Sequence, residues 1–472
     1  MFASHEIENR YNAALRRYTT AMDNNMPDRI PIRFLFEEIA ARYAGYTTQQ
    51  TACDYRLAFD ATRKMAMELN VDAAMLNAIW SNYGVGKGAS WKYFAVPGVD
   101  VSLESVCQFH EPASEADICM KADEYDEFSD DPTAFLLTKW FSRYTTRLSP
   151  PGGKVTFGHN AALISGAMAY ARYIGSFGEY ADKLKYEAGV VSANSGMIKA
   201  PFDLLMDKLR GYQGSVMDAF TQPDKVRKAC EALMPHIVKN ALGGADPAKI
   251  APITIWAHRG TVPFITPEMF DGIMWPTLKP VFEEIISKGY QILFYGEGNW
   301  EAHYEKLLEF PAGSIIYHLD KGDPLKLVNT IKRKFAVSGG LPYELLAWGT
   351  KSDVESYLAR LFSSLAPEGG YILDSTALMM QDINVDNVKT AIAYTMEHGV
   401  YSRSSATRPK VRENPSGPAP MDMGKRAPGV VIPWEEESKG YTHLSGDEAL
   451  VRNSWEEADF WVYNYIWTTL LW

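Results

Sequence analysis

The chain predicts an α/β fold, a (β/α)8 TIM barrel with N-terminal insertions and a C-terminal arm plus aromatic helix. Three observations predict it. Short apolar runs alternate with helical segments after Pro252, each run ends in polar or glycine-rich sequence, and 472 residues accommodate a barrel of roughly 250 residues with elaborations.

The apolar runs are ITIWA, QILFY, SIIYH, FAVSG and YILDS, five within about 125 residues. Runs of this length separated by amphipathic stretches fit parallel strands with helical crossovers. They end in His258-Arg259-Gly260, Gly296-Glu297-Gly298-Asn299, His318-Leu319-Asp320, Gly339-Gly340 and Asp374-Ser375-Thr376. In a barrel these ends share one face, and that face carries the active site.

Earlier in the chain, an apolar strand from Ile30 to Phe34 leads to a helical stretch from about Thr48 to Asn70, capped by Thr47 or Thr48. From about 80 to 150 the pattern is irregular and reads as an insertion on the barrel. Gly84, Gly86 and Gly88 lie there without the strand and spacing of a nucleotide fingerprint. The barrel unit is expected to span 1–401. Beyond it, Ser402 to Ser438 is rich in Pro, Gly and charge and reads as an extended arm. From Ser445, with Glu448 three residues later as a capping box, a helix carrying Trp455, Trp461, Trp467 and Trp472 follows. It is expected to pack on the barrel or on a neighbouring subunit, which is compatible with a homodimer.

Composition narrows the function classes. The chain is 46% hydrophobic and 22% charged, a globular balance, and 58 acidic against 47 basic residues give a net charge of −11. A phosphate-tracking surface for nucleic acid has no support in that balance. No run approaches the length of a membrane span, and Met1 to Arg17 lacks a signal-peptide core, so a cytoplasmic location is expected. Cys53, Cys107, Cys119 and Cys230 show no ligand spacing and are expected to be buried free thiols.

The segment Gly339 to Leu373, GGLPYELLAWGTKSDVESYLARLFSSLAPEGGYIL, resembles the late barrel of the uroporphyrinogen decarboxylase superfamily. MQDINVDNVKTAI after it, and DRIPIRF and DEYDEFSDDP before it, extend the resemblance over about 28–400. The resemblance implies the barrel. True decarboxylases of the superfamily carry a Met-Arg-Gln-Ala-Gly-Arg loop, which PIRFLFEEIAARYAGY does not reproduce, so decarboxylation recedes. Thiol-methylating members bind zinc through a His-x-Cys-Gly element and a later Cys. Tyr295 and Glu297 stand at the first two positions, and Thr376 or Ala377 near the last. The chain is more similar to the corrinoid-dependent methyltransferase I component of bacterial O-demethylases.

The resemblance to that group implies a zinc site of two Glu and one His. Glu297 and His318 have its spacing of twenty intervening residues, while the position expected for the first Glu holds Phe282. Glu268, Glu283 and His303 are a rival set, with Glu283 inside the apparent helix PVFEEIISK. His258 is the candidate third ligand or general acid. Carboxylate and imidazole ligands suit zinc as a Lewis acid that polarises an ether oxygen. Asp320 and Asp374 are placed to orient a histidine or cap a helix. Tyr295, Trp256 and Phe264 are candidates to stack on an aromatic substrate. Gly260, Gly296, Gly298, Gly339 and Gly340 either admit a bulky ligand or make ordinary turns.

The expected activity is demethylation of a small methoxylated aromatic compound, with the methyl group passed to cobalt(I) of a separate corrinoid protein. The chain has no Asp-x-His-x-x-Gly corrinoid motif, so cobalamin belongs to the partner. A metal-independent decarboxylase and a non-catalytic corrinoid-protein-binding factor are the alternatives.

Overall fold

The computed structural model describes residues 1–76, 83–103, 105–106, 108–112, 114–402 and 421–471. Its largest sheet has six parallel strands in chain order: Gly196–Lys199, Ile253–Ala257, Ile292–Asn299, Ile315–Lys321, Ala336–Gly339 and Tyr371–Ile372. The last five are the five apolar runs. A second parallel sheet joins Arg33–Phe34, Ala73–Ala74 and Val191–Ser192. Isolated parallel bridges pair Ile32 with Leu373 and Phe36 with Met379, so the first strand lies beside the last. Among the described residues, the parallel strands form these two sheets and no closed ring, and a separate antiparallel pair joins Phe94–Ala95 and Gln108–Phe109.

Side chains along the strands alternate between two environments, as a period of two requires. Ile253, Ile255, Phe294, Tyr317 and Val337 face the surrounding helices. Leu35, Ala73, Val191, Trp256, Leu293, Tyr295, Ile316, Ala336 and Ile372 form a separate interior cluster. Ala14, Tyr18, Ala21 and Met22 of helix His5–Met22 join that cluster and close its lower end.

One charged seam runs through this interior. Arg33 is fully buried and donates from Nε and Nη2 to Asp374 Oδ2 at 3.0 and 2.8 Å, and from Nη2 to Ser338 Oγ at 2.8 Å. It thereby ties the first strand to the end of the last and to its neighbour. Burial opposes the guanidinium charge, and Tyr18 and Asp374 outweigh it. Burial pushes the Asp374 carboxyl up to about 6 against the pull of Arg33.

Several details differ from expectation. The Thr48 to Asn70 stretch is two helices, Thr48–Cys53 and Tyr55–Glu68, because Asp54 is extended and caps the second through the Arg56 N–H. Thr47 is the N-cap of the first, in a capping box with Gln50. The strands Ala73–Ala74, Val191–Ser192 and Gly196–Lys199 are additional; they are short and carry few β-branched residues, so they show little pattern. Cys119 and Cys230 are buried but Cys53 is exposed, and Cys107 lies outside the described residues. No helix among the described residues is long and apolar enough to cross a membrane.

The C-terminal helix is Glu448–Leu471, and the Leu450 N–H donates to Asp447 Oδ1, so Ser445 is not its cap. It packs on Phe157–Tyr186 and Pro223–Gly243. Trp467 stacks on His236 at 4.0 Å, Tyr463 Oη meets His236 Nδ1 at 2.8 Å, and the Tyr170 hydroxyl donates to Thr468 Oγ1 at 2.8 Å. Trp472 and the arm over 403–420 lie outside the described residues.

Replacing Asp374 with Ala strands the Arg33 charge in an apolar interior. Denaturant unfolding of Asp374→Ala is expected to show a loss of about 3–5 kcal/mol, of which Arg33→Met in the same chain restores a large part.

Candidate active site at the strand ends

The inward positions of successive strands stack in rungs. Register pairs Lys199 with Trp256, Trp256 with Tyr295, and Tyr295 with His318. Two residues further along the last three strands stand His258, Glu297 and Asp320. The three histidine and glutamate candidates therefore occupy two levels, with His258 and Glu297 at the mouth and His318 one rung below.

His318 is an interior residue. Its ring stacks on Tyr295 at 3.8 Å and 15°, and Tyr295 stacks on Trp256 at 4.2 Å. His318 Nε2 lies 3.3 Å from the Thr376 carbonyl, an acceptor only, so Nε2 carries the proton. Nδ1 then accepts from the Ser338 hydroxyl and the Arg33 guanidinium at 3.2 and 3.4 Å. Burial and the Arg33 charge hold this imidazole well below its usual pKa, hence neutral. Gly339 presses against it: at φ +86° a Cβ there would come within 2.9 Å of His318 Cε1 and 2.6 Å of the Leu319 carbonyl.

Glu297 accepts a hydrogen bond from the Trp256 indole. Asp320 accepts from the Gly298 N–H at 2.7 Å, and burial, with Glu297 nearby, raises its pKa. His258 is held elsewhere, by Asp207. Each of the three candidate zinc ligands is thus engaged within the protein, and His318 has no lone pair directed to the mouth. Among the described residues, no group of three or more His, Cys, Asp and Glu is placed to hold a metal ion. The residues as arranged do not fit the ligand set that the resemblance implies. The rival set is dispersed too: Glu283 pairs with Lys279 in helix Trp275–Ser287, and His303 stacks on Phe270.

At the ends of Gly196–Lys199 and Ile253–Ala257 lies a network the sequence reading did not single out. The strand Gly196–Lys199 leads into helix Pro201–Leu204 and a widened π turn, Leu205–Leu209. Asp203 and Asp207, four residues apart, lie on the same side of this segment. The Asp207 side chain is fully buried among three nitrogen donors: Lys199 Nζ at 2.6 Å, His258 Nε2 at 3.0 Å and Arg259 Nε at 3.5 Å. Burial opposes its charge, but Lys199 and His258 overcome it and hold the carboxylate far below the usual range. Asp203 accepts the backbone N–H groups of His258 and Arg259 at 3.0 and 3.1 Å. Burial pushes its carboxyl up to about 6.

His258 is consequently a cation-prone imidazole. Burial opposes protonation, yet Asp207 and Asp203 raise its pKa above the usual value. Nε2 donates to Asp207, which leaves Nδ1 directed away from the carboxylate, and the side chain is 19% exposed. A buried acid elsewhere at the strand ends, Glu37, has both carboxyl oxygens without a hydrogen-bond partner among the described residues. Burial and then Glu38 raise its pKa well above the usual carboxyl range.

Outside the mouth, a cleft of about 530 Å³ opens beside Arg259, walled by Arg210, Tyr212 and Phe264 and by Glu111 and Glu115. Of the three aromatic candidates, Phe264 alone lines it; Trp256 and Tyr295 are buried in the stack. The glycines serve close packing. A Cβ on Gly260 or Gly296 would meet Trp300 at 2.7–2.8 Å.

Asp203→Ala removes the acceptor of two buried N–H groups and is expected to cost about 1.5–3 kcal/mol, read by chemical unfolding. An unchanged midpoint would show that the loop after Ala257 is held by other contacts.

The sequence model of the uroporphyrinogen decarboxylase (URO-D) family matches residues 173–398. No curated protein matches the chain. Among solved structures, 37 chains match. One is a methyltransferase from Methanosarcina mazei, at 11% identity and a TM-score of 0.53, with 81% of this chain and 97% of that one covered. At that identity the likeness is one of fold. The matched stretch, residues 173–398, carries Lys199, Asp203, Asp207 and His258.

Proposed function

We propose that the two sheets are parts of one (β/α)8 barrel, and that its mouth demethylates a small, methoxylated aromatic compound for a separate corrinoid protein. Three things support the barrel: the bridge from Ile32 to Leu373, the three-residue gap between Val191–Ser192 and Gly196–Lys199, and the fold likeness. The observation that carries the chemistry is the contact at the strand ends between His258 Nε2, on a partly exposed imidazole, and buried Asp207 at 3.0 Å, which raises the pKa of that ring.

Breaking a methyl ether leaves the electron pair of the C–O bond on the oxygen. A phenolate leaves poorly unless it is protonated as the bond breaks. His258 Nδ1 supplies that proton, while Asp207 stabilises the imidazolium beforehand and fixes the ring through Nε2. Lys199 and Arg259 keep Asp207 ionised throughout. The stack of Trp256, Tyr295 and His318 forms a rigid apolar floor below. The corrinoid of the partner supplies the methyl acceptor; its docking at the mouth is favoured by the methyltransferase fold likeness.

A second reading has an observation of its own in the URO-D family match. A decarboxylase needs a proton donor for the carbon that loses carbon dioxide, and His258 suits that role as well. The two are separated by product: a phenol released only with reduced corrinoid protein supports demethylation, whereas carbon dioxide released from a carboxylated substrate without it supports the lyase.

Because the protonated form of His258 is the active one, kcat/KM for demethylation is expected to be flat at low pH and to fall as pH rises through an elevated imidazole pKa. His258→Gln should lower it by about 10²- to 10⁴-fold. Asp207→Asn removes the charge that raises this pKa and should move the falling limb to lower pH. A limb that stays in place in Asp207→Asn would assign it to another group.

A further inference from the structure

The cleft beside Arg259 contains two guanidinium groups fixed from below and covered from above. Arg210 donates from Nε to Asp218 Oδ2 at 2.6 Å, and Asp218 also accepts the Tyr125 hydroxyl at 3.0 Å. Arg259 is anchored by Asp207, 3.5 Å from Nε. Both arginines are nearly inaccessible, at 5% and 8% exposure. Their outward nitrogens meet carboxylates of a quite different kind. Arg210 Nη1 bonds both oxygens of Glu115 at 2.7 Å, and Arg259 Nη2 bonds Glu111 Oε1. The side chains of Glu115 and Glu111 are 59% and 45% exposed.

The asymmetry matters. A buried acid that orients a guanidinium is costly to remove, whereas an exposed carboxylate on its outer edge is held by little net energy. Tyr212 and Phe264 line the space beside these arginines, edge to face at 6.0 Å, and Arg259 lies 5.2 Å from the Tyr212 ring. The cleft therefore offers two preorganised forks and an aromatic wall, with its two outer anion positions filled by the chain itself.

We infer that Glu111 and Glu115 are a built-in competitor at an anion-recognition cleft. They hold Arg259 and Arg210 until a small planar ligand bearing two carboxylates takes their place. Each ligand carboxylate exchanges for a glutamate at a guanidinium edge, so charge at the cleft is conserved, and the released Glu111 and Glu115 side chains turn to solvent. The competition is independent of which bond breaks beside His258.

The test is calorimetric titration of the full chain with isophthalate, and with benzoate as the single-carboxylate control. Isophthalate should bind more tightly than benzoate. Glu111→Gln with Glu115→Gln should tighten isophthalate binding by about tenfold, since the competitor is gone. Arg210→Met should weaken it by at least as much. On the unmodified chain, amide hydrogen exchange over 108–112 and 114–118 should rise on adding isophthalate, a readout that needs no variant. Unchanged or weaker isophthalate binding in the double Gln variant, or exchange that falls on ligand addition, would overturn the inference. Tightened binding without methyl transfer would leave it standing and count only against the proposed reaction.

Discussion

The mouth of the sheets depends on one buried carboxylate. Isolated in an apolar interior, Asp207 would cost several kcal/mol to ionise. It is ionised because Lys199, His258 and Arg259 converge on it from two adjacent strands and the turn that follows. The same contacts fix three parts of the fold relative to one another: the end of Gly196–Lys199, the widened turn Leu205–Leu209 and the loop after Ile253–Ala257. Asp203, one turn earlier, clamps that loop by its backbone, so His258 is positioned through both main chain and side chain.

Below the mouth the interior changes character. The aromatic stack of Trp256, Tyr295 and His318 lies between the charged network and the rest of the interior cluster, which helix His5–Met22 caps. His318 and His258 show how environment divides one residue type into two roles. Arg33 beside the first, with burial, keeps it neutral. For the second, burial is outweighed by Asp207, which raises its pKa. Nothing in the two side chains differs; the neighbouring charge decides.

The legible parts of the sequence were those in which a local pattern and its cause coincide. The strands after Pro252 announce themselves because each is an apolar run of β-branched and aromatic residues with a polar end. His258, Glu297 and Asp320 follow from that, since strand ends share a face. The strands at Ala73 and Val191 lack such runs, and their pairing is visible only once the fold brings them together. Asp203 and Asp207 were missed for a related reason: KAPFDLLMD reads as an ordinary helix start, and the pairing of Asp207 with His258 spans 51 positions. A signal existed in two acids four residues apart directly after a strand. Glu297 and His318 show the limit of a matching spacing, which says nothing of level: one residue stands at the mouth and the other a rung below, stacked beside Tyr295.

The central claim is that His258 is a standing imidazolium because Asp207 is ionised beside it. Nitrogen-15 NMR of the His258 ring, followed from pH 5 to 9 in the intact protein, tests this directly. A charged ring with both nitrogens protonated at pH 7, becoming neutral at lower pH in Asp207→Asn than in the unmodified chain, is the result predicted. A ring already neutral at pH 6, or one whose titration ignores the loss of the Asp207 charge, would contradict the account.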